Sequence, residues 1–153
     1  METYILKISL TNSPKIIRKV DSPKVIREIE VTESSSLHTL AEGIIRAYDF
    51  DFDHCFGFFS NISEGRYFDS EKKYELFTDF IEEGMDLEPT GAKSVKKTKI
   101  KQVWKNIGDK MLFLFDYGDN WHFIVELVGF GEKRRGIHYP RILKKIGKAP
   151  RQY

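Results

Sequence analysis

The chain is poor in cysteine: one residue, Cys55, in 153. That excludes an intrachain disulfide and any site built on paired thiols. Long apolar runs are also missing. No stretch approaches the roughly 20 residues a membrane-spanning helix needs. The first ten residues alternate polar and apolar side chains, with no continuous apolar core of a secretory signal. No membrane contact and a cytoplasmic location are the resulting expectations. Proline is sparse, five residues, and glycine numbers eleven. Neither gathers into a linker or a low-complexity segment, and no internal repeat is visible.

Several chemical signatures are absent as well. Histidines 38, 54, 122 and 138 are scattered, with no Cys-x-x-Cys, His-x-His or His-Glu-x-x-His spacing. Gly129 and Gly131 make only Gly-x-Gly with no helix behind it, so no phosphate-cradling loop is present. No cofactor and no metal are expected on these grounds. A mixed site of His54, Asp116 and His122 could still assemble in space.

What is present is apolar and aromatic. Hydrophobic residues make up 41% and aromatics 14%, with twelve Phe and seven Tyr, enough to offset chain entropy in one core. One domain over 1–153 is expected. Net charge is +2, but it is segregated along the chain. Residues 1–48 carry 7 basic and 6 acidic side chains, residues 49–90 carry 3 and 12, and residues 91–153 carry 15 and 5. Either the two charged segments attract within the fold, or a basic face attracts a polyanion.

Periodicity sketches the elements. Tyr4, Leu6, Ile8 and Leu10 alternate as a strand, and Lys15–Val20 can extend between Pro14 and Pro23. Val25–Val31 reads as a second strand. After Ser34-Ser35-Ser36, the apolar positions 37, 40, 41, 44, 45 and 48 form a helical stripe over 35–48. His54–Ser60 and Arg66–Phe68 read as strands around a turn at 61–65. A second helix over 71–83 has Ser70 as cap and Gly84 as stop. A third over 99–107 has Thr98 as cap and Gly108 at C′. Met111–Tyr117 and Trp121–Phe130 read as a hairpin around Gly118-Asp119, with glycine first as in a type II′ turn. The tail after Gly131 is basic and irregular. These elements make an α+β fold, a mainly antiparallel sheet with about three helices packed on it.

The hairpin register that follows pairs Tyr117 with Asn120 and Asp116 with Trp121. It puts Leu112, Leu114, Asp116, Trp121 and Phe123 on one face, and Phe113, Phe115, His122, Ile124 and Glu126 on the other. A carboxylate on so apolar a face needs a donor, with the Trp121 indole or a turn amide nearest, or else a raised pKa. Asp116 then either pins the hairpin or acts as an acid or base tuned by burial. Asp119 is a favoured turn residue. His122 and Glu126 lie roughly 13 Å apart along one strand, too far for direct contact. Cys55 beside His54 makes no dyad, because strand neighbours face opposite ways, and it reads as a buried structural thiol.

The segment Phe115-Asp116-Tyr117-Gly118-Asp119-Asn120-Trp121-His122, continuing into Phe123-Ile124-Val125-Glu126-Leu127, closely resembles the signature of the plasmid pRiA4b ORF-3-like family. Tyr4-Ile5-Leu6-Lys7-Ile8, Pro14-Lys15-Ile16-Ile17-Arg18, Leu37-His38, His54, Tyr139-Pro140 and Ala149-Pro150 agree with it. Ile17 stands where the family has Trp, and the sequence given stops at Tyr153, before the Pro-Pro-Glu-Asp-Cys-Gly-Gly-like tail that the family often carries. The resemblance implies an α+β fold and an association with plasmids and insertion elements, but no established activity. Some members are labelled resolvase-like. Serine recombination needs a nucleophilic serine among clustered arginines, and the serines here fall in turns and caps.

Two functions remain. One is a binding or accessory module touching nucleic acid weakly and without sequence preference, through Lys96, Lys97, Lys99, Lys101, Arg134, Arg135, Lys144 and Lys145. The other is a small acid–base or metal-assisted hydrolase centred on Asp116 and His122, with His54. The first leads, because no catalytic spacing is complete. A protein partner is not specified by anything in the sequence.

Overall fold

The computed structural model describes residues 2–12, 24–63 and 65–153. The expected extension over Lys15–Val20 lies outside them. Among the described residues, seven strands form one sheet in the order β4-β3-β5-β6-β1-β2-β7, and every paired neighbour is antiparallel. The strands are β1 (Glu2–Asn12), β2 (Ile26–Thr32), β3 (Phe56–Phe59), β4 (Lys73–Glu75), β5 (Lys110–Phe115), β6 (Trp121–Glu132) and β7 (Arg141–Ile146). Three helices among the described residues accompany them: α1 (Leu37–Ala47), α2 (Leu76–Glu82) and α3 (Ile100–Val103). The α+β class stands, with the sheet as the larger part.

α1 follows its sequence pattern closely. Ser36 caps it, its side chain accepting from Thr39 N. The stripe Leu37, Leu40, Ala41, Ile44 and Ile45 enters the same core cluster as Tyr4, Leu6 and Ile8 of β1 and Phe113, Trp121 and Phe123 of the hairpin. Its last turn is held by Arg27, whose Nε donates to Ala47 O at 2.9 Å while the guanidinium lies 5.0 Å from the Tyr48 ring centroid. A buried arginine at a helix C-terminus meets orphan carbonyls and the negative end of the dipole together.

The other two helices are shorter than expected. Residues 73–75 are drawn into the sheet as β4, so α2 begins at Leu76 and Ser70 caps nothing. The Ser70 hydroxyl donates to Tyr67 O instead. Arg66–Phe68 is a turn, and β4 takes the return-strand position beside β3. α3 is one turn long and ends at Trp104, well before Gly108. Trp104 is the reason: its indole donates to Val125 O at 3.1 Å and its carbonyl accepts from the Tyr4 hydroxyl at 2.8 Å. Tertiary bonds to the sheet outweigh continued helix, whose isolated short form is marginal. Thr98 donates to Ser94 O rather than capping.

The tail is irregular only in part, over 133–140 and 147–153. Arg141–Ile146 pairs with β2 as the sheet edge, with a register shift at Glu28/Ile29. Every residue from Ile142 to Ile146 is exposed, so no alternation of burial marks it as a strand.

Candidate functional site

The β5–β6 hairpin carries most of the candidate residues. Phe115 pairs with Trp121 and Leu114 with His122, one residue away from the register expected from a two-residue turn. The connection is five residues, Asp116 to Asn120, with left-handed backbone at Asp116 (φ 66°) and Asn120 (φ 55°). Gly118 is not left-handed, so the type II′ expectation is corrected. Asp and Asn tolerate that region because their short side chains bond locally. Asp116 Oδ1 accepts from Gly118 N at 3.0 Å and Asp119 N at 3.1 Å, and Asp116 N donates to Cys55 O at 2.9 Å. The carboxylate therefore organises the turn.

A one-residue slip exchanges the faces of β5. Met111, Phe113 and Phe115 join Trp121, Phe123 and Val125 in the main core. Leu112 and Leu114 lie on the opposite face with Phe59, beside Tyr67, Tyr117 and Ile124. Trp121 is fully buried, its ring 4.7 Å from that of Phe50. Its indole nitrogen has no hydrogen-bond partner among the described residues, so it is not the donor to Asp116.

His54 does reach Asp116. Its Nε2 is 3.4 Å from Asp116 Oδ2 and its Nδ1 is 2.6 Å from Asp53 Oδ1. The Tyr153 hydroxyl also bonds Asp53. Burial pushes the Asp53 carboxyl up, but the bonds from Tyr153 and His54 outweigh it and leave the group below its ordinary range. The bond to Asp53 pushes the Tyr153 phenol up to about 12. Both ring nitrogens of His54 thus face carboxylates already in place. A hollow of about 370 Å³ beside it is lined by His38, Phe52, Asp53, Cys55, Leu76 and Lys96. Burial pushes the Cys55 thiol up, away from the thiolate that nucleophilic chemistry requires. Cys55 is half-buried rather than fully so.

His122 is elsewhere. It points to the opposite face, in a hollow of about 170 Å³ with Thr11, Asn12, Ile62, Leu112 and Ile124. His54, Asp116 and His122 therefore do not converge, and the sheet separates the third from the first two. No group of three or more His, Cys, Asp or Glu with metal-binding geometry occurs among the described residues.

Sequence reasoning missed Glu75. The Tyr117 hydroxyl donates to Glu75 Oε2 at 2.5 Å, tying the turn to the start of α2. Burial, then the bond to Glu75, push the Tyr117 phenol far above its usual range. Its partner is the half-buried Tyr117, forty-two positions away, and no local pattern signals that pairing.

The cationic candidates are dispersed. Lys96 bonds Glu83 at 2.9 Å and Lys97 bonds Glu82 at 2.8 Å. Asp79 of α2, buried, accepts from Ser94 Oγ at 2.5 Å and Val95 N at 2.9 Å. The acidic segment thus covers the start of the basic one. Lys99 and Lys101 are exposed at α3, Arg134 and Arg135 on the β6–β7 loop, and Lys144 and Lys145 on β7. None of these six is in an ion pair among the described residues. Among the described residues, no helix is long and apolar enough to cross a membrane.

Comparison with known proteins agrees with the hairpin motif. The family model for plasmid pRiA4b ORF-3-like protein matches residues 2–152. A protein of unknown function from Methanosarcina mazei Go1 has a similar solved structure, with a TM-score of 0.67 and 26% sequence identity. The match covers 94% of this chain and 69% of that one. No curated protein matches the chain.

Proposed function

This chain belongs to the plasmid pRiA4b ORF-3-like protein family, and we propose that it is a binding module rather than a catalyst, one that contacts nucleic acid weakly through its C-terminal segment. The observation that carries the reading is the state of its cations. Lys133, Arg134, Arg135, Lys144, Lys145, Lys148 and Arg151 are exposed and outside any ion pair among the described residues. Solvated cations of this kind release counterions from phosphates without reading bases. The link to mobile elements rests on the family's name alone.

Support also comes from the arrangement of the acid–base candidates. A general base needs a ring nitrogen or carboxylate oxygen within reach of a substrate proton. The His54 nitrogens face Asp53 and Asp116, and Asp116 holds its own turn. His122 lies across the sheet from both.

Anisotropy of a labelled duplex, titrated at low and physiological salt, tests the reading. Three or four phosphate contacts give a log–log salt slope of roughly −3 to −4 on duplex DNA. Lys144→Glu with Lys145→Glu should weaken binding on all sequences alike. No binding at low salt, or a strong preference for one sequence, would overturn the proposal.

A further inference from the structure

The outer face of the sheet, opposite the one bearing Leu6 and Ile29, holds a hollow of about 400 Å³ between β1, β2, β6 and β7. Its floor is Glu30, 5% exposed in the middle of β2. Glu30 Oε2 accepts from Thr3 Oγ1 at 2.5 Å, and Oε1 accepts from Arg141 Nε at 2.8 Å with Nη2 also at 2.8 Å. Gly131 completes the floor. A Cβ there would lie 2.7 Å from Thr3 Oγ1 and 2.8 Å from Glu30 Oε2, so glycine makes room for the carboxylate.

Arg141 is held on two sides. Glu30 takes one edge of the guanidinium, and the Tyr139 ring centroid lies 5.9 Å from its central carbon. The Tyr139 hydroxyl accepts from Arg134 N at 3.1 Å, which fixes the loop carrying Arg134 to the same group. Arg141 Nη1 has no hydrogen bond among the described residues, and the side chain keeps 36% of its exposure. Lys133 and Arg134 line the same hollow. Glu30 and Arg141 cancel in charge, and the two further cations outnumber the remaining acid, Glu132.

A pair that only tied β2 to β7 would be accounted for by neutrality. It would not account for two further unpaired cations around the open edge of an immobilised arginine. A guanidinium fixed by a carboxylate and an aromatic face loses little side-chain entropy on taking an anion, and its planar fork matches phosphate oxygens. We propose that this hollow is a phosphate site, in which the open edge of Arg141, with Lys133 and Arg134, receives a phosphate group. The inference rests on the nucleic-acid reading only for the source of that phosphate, a backbone diester rather than a free phosphate ester.

The test uses the full chain, labelled with nitrogen-15, and follows the Arg141 Nε–H and the Gly131 and Arg134 amides by NMR. Arg141→Lys, which removes one Nε–H signal, assigns the first. Inorganic phosphate should shift these signals saturably, and chloride at equal ionic strength should not. Lys133→Ala with Arg134→Ala leaves the Glu30–Arg141 pair in place and should weaken phosphate binding roughly tenfold or more. A short duplex that moves the same signals identifies backbone phosphate as the ligand. Phosphate shifts without duplex binding keep the site, assign it a free phosphate ester, and remove the nucleic-acid reading. Phosphate no more effective than chloride overturns the site; duplex binding that moves only other signals would then leave the nucleic-acid reading standing. Phosphate shifts unchanged in the double variant would also overturn the assignment of Lys133 and Arg134.

Discussion

Replacing Asp116 separates a turn residue from a chemical one. Its carboxylate accepts two backbone N–H bonds, from Gly118 and Asp119, while its own backbone is left-handed. Asp116→Gly removes the acceptor and keeps the backbone at ease. Each bond to a charged acceptor is worth about 1.5–3 kcal/mol when buried. These two lie at the protein margin, where water competes, so a total of about 1–3 kcal/mol is expected. Asp116→Ala loses the same bonds and adds a left-handed alanine, which costs roughly 1–2 kcal/mol more. Asp116→Asn keeps an acceptor oxygen and tolerates the backbone, so it should lose about 1 kcal/mol or less. The order of stability is therefore Asn, then Gly, then Ala. Urea denaturation followed by tryptophan fluorescence reads it directly, since Trp121 borders the turn. Equal midpoints for all three variants would show that Asp116 does not organise the hairpin. Its position beside His54 would then need another account, and an acid–base role would return.

The other expectations concern the core and the outer face. Trp121→Ala should cost about 3–5 kcal/mol, because the side chain is fully buried; an unchanged denaturation midpoint would contradict its place in the core. Gly131→Ala should destabilise by roughly 1–3 kcal/mol through its contacts with Thr3 and Glu30, and a wild-type melting temperature would refute the close approach. Burial raises the Glu30 carboxyl, but the bonds from Thr3 and Arg141 and the charge of Arg134 outweigh it and hold the group below its usual range. Its contribution is thus fully present above the unfolded pKa of about 4.3 and is lost as pH falls through the lower folded value. Between about pH 5 and pH 3 the melting temperature of Glu30→Gln should fall less steeply than that of the wild type; parallel curves would argue against the depressed carboxyl.

Elements whose signal is local were legible in the sequence. The stripe from Leu37 to Ile45 gives a helix because neighbours at i+3 and i+4 share a face whatever surrounds them. The alternation of Tyr4, Leu6 and Ile8 gives β1 for the same kind of reason. The hairpin shows where this stops. Two apolar runs around Gly118-Asp119 establish that the strands pair, and they do. The register depends on which residues go left-handed, and here these are Asp116 and Asn120 rather than the glycine. That one-residue difference placed Phe113 and Phe115 in the main core and Leu112 and Leu114 in the smaller buried cluster with Phe59 on the opposite face, and it removed Asp116 from the strand altogether. Every residue of β5 between Met111 and Phe115 is apolar, so no alternation within the strand could choose between the registers. The pairing of His54 with Asp116 was foreseen as a candidate grouping, whereas His122 required the register to be known.

Charge gives a second instance of the same limit. The sequence places 12 acids among residues 49–90 and 15 basic residues among 91–153, which reads as two opposed fields. In space the first lysines of the basic stretch meet the last acids of α2, through Lys96–Glu83 and Lys97–Glu82. Further along, Arg141 meets Glu30, from a segment that is nearly neutral in sequence. Opposite charges that are close in the fold neutralise each other locally, and only those left over contribute to an external field. The cations left over are divided among α3, the β6–β7 loop and β7. Such an arrangement favours a few separate phosphate contacts over a dense electrostatic footprint. It therefore requires a shallow salt slope, and a slope as steep as −8 or −10, the behaviour of proteins making many phosphate contacts, would show that the cations gather on nucleic acid in a way this fold does not provide.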